Sequence, residues 1–451
     1  MHSVDIVKTH FAVGSFALVA LSLAACSGPV SSSDGGDVVT VTDADANNDD
    51  AATDATADSG PPCEGRRRTF WTWDLTTMPP PDIEVDTGCR LESAHGTFYT
   101  TDDVWTTQVT VTEANAVMHA WEDATPADPS RGIYAMDTAL FGDPPDVDND
   151  PHVALFYRPI GTFHGYTFDG YFRSLDEDTT DPHSNVTEML HLNSGPRDIA
   201  MTYMLGVVAH EFVHLIASQY GDEDVWLSES LAEGGMVACG YLGDLSLAQR
   251  FATTATAPLV GNSAGMDYGP LFLFADYLHE RYGAAILSDI TRDTARGVRS
   301  VENALAMHGG GTFRALFGEW ATANYVDAPM PPYGYAAFDV STEAAAVTLA
   351  SGTATTGMVS PWAAGYYVID APAGSTSVTV DVTSASSANL EVHTAVHDMA
   401  ARSAARVDAY AIAGNTSTHD VTVGTPGSRL VVIVANASAT AAPVSITATA
   451  H

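Results

Sequence analysis

The stretch Met201-Thr202-Tyr203-Met204-Leu205-Gly206-Val207-Val208-Ala209-His210-Glu211-Phe212-Val213-His214-Leu215-Ile216 carries the strongest structural signal in the chain. It is apolar almost throughout and so predicts a helix buried in a core, yet it carries His210, Glu211 and His214. A spacing of four sets both imidazoles on one helical face, about one turn apart, where two nitrogens reach one Zn²⁺ at roughly 2.0–2.1 Å. Glu211 projects beside them and can take a proton from water without itself being a ligand. Without a metal or polar partners, burying these three side chains would be costly.

A third protein ligand is then required, with the fourth position left to water. The segment Trp226-Leu227-Ser228-Glu229-Ser230-Leu231-Ala232-Glu233 begins twelve residues after His214. Glu229 and Glu233 are four apart and share a helical face, so one can ligate while the other accepts the free ring N–H of a ligand histidine. Spacing alone leaves open which does which. Further on, Tyr268 precedes an apolar helical pattern ending near Tyr282-Gly283. Its two readings are a donor to a developing oxyanion and a ring packed at the entry of a core helix. Asp146, Asp148 and Asp150 alternate like the opening of a calcium loop, with Pro151 where such a loop carries glycine. The alternative there is a solvated acidic turn.

The pair of motifs resembles the gluzincin metallopeptidases, in which the second motif is usually Asn-Glu with another acidic residue four positions on. Here Ser228 stands where Asn is usual and Ser230 where Gly is usual. Phe141-Gly142-Asp143-Pro144-Pro145-Asp146-Val147-Asp148-Asn149-Asp150, Gly170-Tyr171-Phe172 and Ser184-Asn185-Val186-Thr187-Glu188 are similar to the hyicolysin-type branch of secreted bacterial peptidases. The likeness covers roughly residues 95 to 285 and is densest from 141 to 235. It implies zinc held by His210, His214 and Glu229, with Glu233 as supporting acid. The eighteen residues between His214 and Glu233 also match a gap found among gluzincins with longer loops, which keeps Glu233 open as the ligand. The resemblance also implies peptide or protein substrates, and a tyrosine is common at the place of Tyr268.

Outward from this centre, residues 1–25 form an export signal: Lys8, an apolar run from Phe11 to Ala20 too short for a comfortable span, then small residues before Cys26. Leu23-Ala24-Ala25-Cys26 resembles the bacterial lipobox, which implies acylation of Cys26, and Ser27 resembles the sorting signal for the outer membrane. The expected location is the bacterial cell envelope, as an outer-membrane lipoprotein, or outside the cell. Residues 26–62 are rich in Ser, Asp and Ala, and every one of their eight acidic side chains is Asp, so they read as a disordered, self-repelling tether. In an oxidising compartment, Cys63 and Cys89 are the natural disulfide pair, and Cys239 is a buried thiol.

The folded part changes character at its end. Residues 63–340 mix strand and helix patterns, whereas 341–451 are rich in Ala, Val, Thr and Ser, with alternation in Val378-Thr379-Val380-Asp381-Val382 and turn signals such as Thr425-Pro426-Gly427. The sequence therefore predicts an α+β zincin-like metallopeptidase domain followed by a C-terminal all-β sandwich. His393, His397 and His419 lack ligand spacing and read as surface or core residues. Acidic residues number 56 against 18 Lys plus Arg, a formal charge of −38, which excludes nucleic acid as a natural partner. The expectation is a monomeric, exported, lipid-anchored zinc endopeptidase. Its rivals are a non-catalytic surface lipoprotein that binds a partner through the same fold and a zinc hydrolase acting on another bond.

Overall fold

The computed structural model describes Cys63 and residues 65–451, except 78, 164–165, 196, 243–244, 262–266, 387–388, 399–402, 413–414 and 424–428. The export segment, Cys26 and the Asp-rich tether lie outside the described residues. Among the described residues, no helix is long and apolar enough to cross a membrane.

The N-terminal part is built on a six-stranded sheet. Its strands are β1 (Arg67–Trp73), β2 (Asp82–Glu92), β3 (Gly96–Thr100), β4 (Val153–Arg158), β7 (Gly170–Phe172) and β8 (Met189–Asn193), in the order β1-β2-β3-β4-β8-β7. β3, β4 and β8 run parallel, and the other pairs are antiparallel. A separate ribbon joins β5 (Thr162–Phe163) to β6 (Tyr166–Thr167). Every residue of β3, β4 and β8 is buried, polar ones such as Thr97, Arg158, His191 and Asn193 included. Val153, Leu155, Tyr157, Leu190 and Leu192 face the helices, while Ala154, Phe156 and Met189 join Phe70 and Tyr99 on the other face. The Cys63–Cys89 disulfide, with its Cα atoms 5.6 Å apart, ties the start of the described chain to β2.

Among the described residues there are nine α-helices, two between β3 and β4 and seven after β8: α1 (Val111–Glu122), α2 (Ile133–Phe141), α3 (Thr202–Ser218), α4 (Val225–Ala238), α5 (Leu245–Thr254), α6 (Tyr268–Tyr282), α7 (Ala285–Thr291), α8 (Val298–Met307) and α9 (Phe313–Val326). α3 carries the histidines and is buried almost all round, packing on β7 and β8. α4 crosses it closely because Gly235 has no side chain: a β-carbon there would stand 2.4 Å from Val213 Cγ2. The connection 219–224 is held from far along the chain. Arg296 Nε donates to Asp222 O at 2.6 Å, and Glu223 Oε1 accepts the Gly297 N–H at 2.7 Å.

The C-terminal strands form two stacked sheets. One is ordered β10 (Thr355–Val359), β17 (Ala442–Ala450), β12 (Ser377–Thr383), β15 (Thr416–Thr422). The other is ordered β14 (Ser403–Ala411), β13 (Leu390–Asp398), β16 (Arg429–Asn436), β11 (Ala364–Asp370), β9 (Val347–Thr348), with β9 as a parallel exception to the antiparallel pairing the alternation predicts. Leu430, Val432 and Val434 of β16 enter the core between the sheets, while Val431, Ile433 and Ala435 enter the large core of the N-terminal part. The sandwich is therefore not a free appendage, and its second face is covered by α9. Tyr366 donates to Ala321 O at 3.1 Å, and His393 Nδ1 lies 2.8 Å from Thr322 Oγ1. His393 and His397 are buried at or beside this seam.

Burial lowers the pKa of His393 to about 4, and its Nε2 has no hydrogen-bond partner among the described residues. The folded value lies below the unfolded one near 6.5, so stability is complete above that pH and is lost as pH falls from about 6.5 toward 4, by about 2 kcal/mol at pH 5. Thermal unfolding of His393→Gln beside the native protein across this range should show a shallower loss in the variant. Parallel curves would remove His393 as the cause.

Candidate metal centre

α3 and α4 bring the predicted residues together. His210 Nε2 and His214 Nε2 are 3.2 Å apart, and Glu229 Oε2 lies 3.4 Å from the first and 3.7 Å from the second. Donors held at 2.0–2.1 Å around a tetrahedral ion sit about 3.3–3.4 Å from one another, so this triangle fits such an ion without rearrangement. The donor chemistry, two imidazoles and one carboxylate, is also that of a zinc site with an open fourth position. His210, Glu211 and Glu229 are buried, and His214 is half-buried, giving the centre one side toward solvent.

The outer ring nitrogens have partners of their own. His210 Nδ1 lies 3.5 Å from Glu233 Oε1, and His214 Nδ1 lies 3.2 Å from Ser228 Oγ. Such contacts fix the ring and tautomer so that Nε2 is free to face a metal. Glu229 sits in the inner triangle and Glu233 behind it, the arrangement that the resemblance implies and that spacing left undecided. Ser228, noted in the sequence only as a departure from Asn, turns out to support the second histidine. Its position next to Glu229 was the available signal. Ser230, the other departure, folds back on its own helix, donating to Trp226 O at 2.8 Å.

Electrostatically the pocket calls for positive charge. Burial opposes a charged His210, but Glu229, Glu233 and Glu211 around it raise its pKa well above the ordinary value. Burial also opposes ionisation of Glu229, and the two imidazoles overcome it, holding that carboxyl far below the usual range. Glu211 is shifted upward by burial, an effect the histidines partly offset, and it receives the backbone N–H of Phe172. Gly170, two residues earlier in β7, lets the strand lie against this carboxylate: a β-carbon there would stand 2.9 Å from Val207 Cγ1 and 3.1 Å from Glu211 Cγ.

Tyr268, expected either as an oxyanion donor or as a ring packed at a helix entry, is buried, and its hydroxyl donates to Glu229 Oε2 at 2.9 Å. Asp146 and Asp148 converge, but with Glu188; Asp150 does not join them, because its carboxylate hydrogen-bonds with the His152 ring. Cys239 is a buried thiol against Asp137.

No family model matches the chain, and no curated protein matches its sequence. Among solved structures it is similar to Legionella pneumophila aminopeptidase A in complex with aspartic acid, at 10% identity over 80% of this chain and 36% of that one, with a TM-score of 0.35. It is also similar to the IMPa metallopeptidase from Pseudomonas aeruginosa, at 9% identity over 81% of this chain and 48% of that one, with a TM-score of 0.14. A third likeness, to the pre-peptidase C-terminal domain of a Bacillus anthracis collagenase, has 10% identity over 23% of this chain and 94% of that one, with a TM-score of 0.20. At such scores these likenesses do not establish a shared fold.

Ser228→Ala removes a contact to His214 without touching the inner triangle. Metal dissociation, followed with a competing chelator, should become at least about tenfold more favourable in that variant. Unchanged metal affinity would make the Ser228 contact incidental.

Proposed function

We propose that this chain is a zinc-dependent endopeptidase, exported and anchored through Cys26, with the site on α3 and α4 as its catalytic centre. The observation that carries the reading is the 3.2, 3.4 and 3.7 Å triangle of His210, His214 and Glu229, beside a buried Glu211 that is not part of it. His210, His214 and Glu229 would hold the ion. When bound, zinc would lower the pKa of a water and polarise the carbonyl to be cleaved. Glu211 then takes the water's proton and delivers it to the departing amine, a task that suits a carboxylate whose pKa burial has moved upward. Glu233 and Ser228 keep the imidazoles aimed, and Tyr268 holds Glu229.

Peptide bonds are favoured over other substrates by the gluzincin and hyicolysin-type resemblance of the two motifs. A second support comes from the sheet. β7 ends the strand order and lies against Glu211, so an extended peptide added along its outer edge would run past the catalytic groups. The envelope location rests on the lipobox-like Leu23-Ala24-Ala25-Cys26.

Glu211→Gln should retain one equivalent of zinc by metal analysis while hydrolysis of an unstructured protein falls by about 10²–10⁴-fold. Activity surviving that change would end the peptidase reading. For Tyr268→Phe the expected result is zinc binding weakened by about tenfold together with slower turnover. A lower kcat at unchanged zinc affinity would instead return Tyr268 to the role of oxyanion donor.

A further inference from the structure

We propose a second metal site, for Ca²⁺, made by Asp146, Asp148 and Glu188 where the loop after α2 meets the start of β8. Oxygen atoms from these three carboxylates all lie within 4.8 Å of one another. Ligands around Ca²⁺ at about 2.3–2.6 Å are separated by at most about 5 Å, so this spacing is compatible with one ion shared by all three. The set holds no imidazole or thiolate, which sets it apart from the centre on α3 and suits a hard cation.

Glu188 supplies the independent sign that a cation belongs here. Its side chain is buried, at 2% exposure, and its Oε1 accepts the Val147 N–H at 2.7 Å. Its Oε2 is fully enclosed and has no hydrogen-bond partner among the described residues. A buried carboxylate oxygen left in this way, beside two further carboxylates, costs free energy that a bound cation removes. Asp148 is already aimed: its Oδ2 accepts from Thr187 Oγ1 at 2.8 Å and its Oδ1 from the Asp150 N–H at 3.0 Å. These bonds come from the neighbours of the site and leave Asp146 at its exposed mouth.

The site joins two parts of the fold that the first centre needs. Asp146 and Asp148 lie in the loop between α2 and β4, and Glu188 directly precedes Met189 at the start of β8. The same loop touches the end of the histidine helix, since Gln219 Nε2 donates to Asp143 O at 2.5 Å. A bound Ca²⁺ would pin the loop to the sheet and thereby brace the end of α3. Its contribution is to stability, and no step at His210 and His214 depends on it.

The test is Ca²⁺ titration of the zinc-loaded full chain by calorimetry, with thermal unfolding measured in parallel, and Mg²⁺ as comparison. The expected result is one Ca²⁺ beyond any weak binding to the acidic surface, with a higher unfolding temperature and weaker binding of Mg²⁺. Asp146→Asn, at an exposed position that leaves the fold intact, and Asp148→Asn should each weaken binding by at least about tenfold. Glu188→Gln should abolish it, and Asp150→Asn should leave it unchanged. Absence of a saturable site in the native chain, Ca²⁺ binding by Asp146→Asn and Asp148→Asn equal to native, or loss of binding in Asp150→Asn would each overturn the assignment.

Discussion

The close crossing of α3 and α4 is the constraint on which the rest depends. Val213 packs onto the backbone at Gly235, and no side chain fits between them. That approach brings the carboxylate of Glu229 within reach of two imidazoles from another helix. The turn between the helices is held in turn by Arg296 and Gly297, so the triangle of His210, His214 and Glu229 depends on residues far along the chain. Rigid elements, not loops, carry every atom of the triangle, which limits the reorganisation needed to bind an ion.

Charge within this scaffold is arranged with equal economy. Three buried glutamates surround two histidines, an arrangement that would be unfavourable if left without positive charge. The same imbalance raises the pKa of His210 well above its ordinary value. Farther along the sheet, Asp146, Asp148 and Glu188 repeat the theme with oxygen alone. The two clusters differ in donor chemistry, imidazole with carboxylate in one and carboxylate alone in the other.

The C-terminal sandwich shows how a strand can belong to two cores. Successive residues of β16 point alternately into the space between the sheets and toward α9, so the run Leu430-Val431-Val432-Ile433-Val434-Ala435 has no polar side to spare. Val340 and Ser341, at the compositional boundary, are themselves pinned by Asp327 Oδ1 and Tyr325 O.

Much of the centre was legible in the sequence because helical periodicity is local: His210, Glu211 and His214 must share a face whatever surrounds them, and so must Glu229 and Glu233. Alternation likewise revealed the strands of the C-terminal part, and two cysteines flanking a short segment revealed their disulfide. Choosing between Glu229 and Glu233, giving Ser228 and Gly170 their places, and exchanging Asp150 for Glu188 required knowing which elements lie side by side. Those are distances between segments remote along the chain, created by packing, and no local pattern encodes them. Local pattern settles which groups can share one helix face, whereas their meeting across helices and strands is set by how closely the backbones can approach.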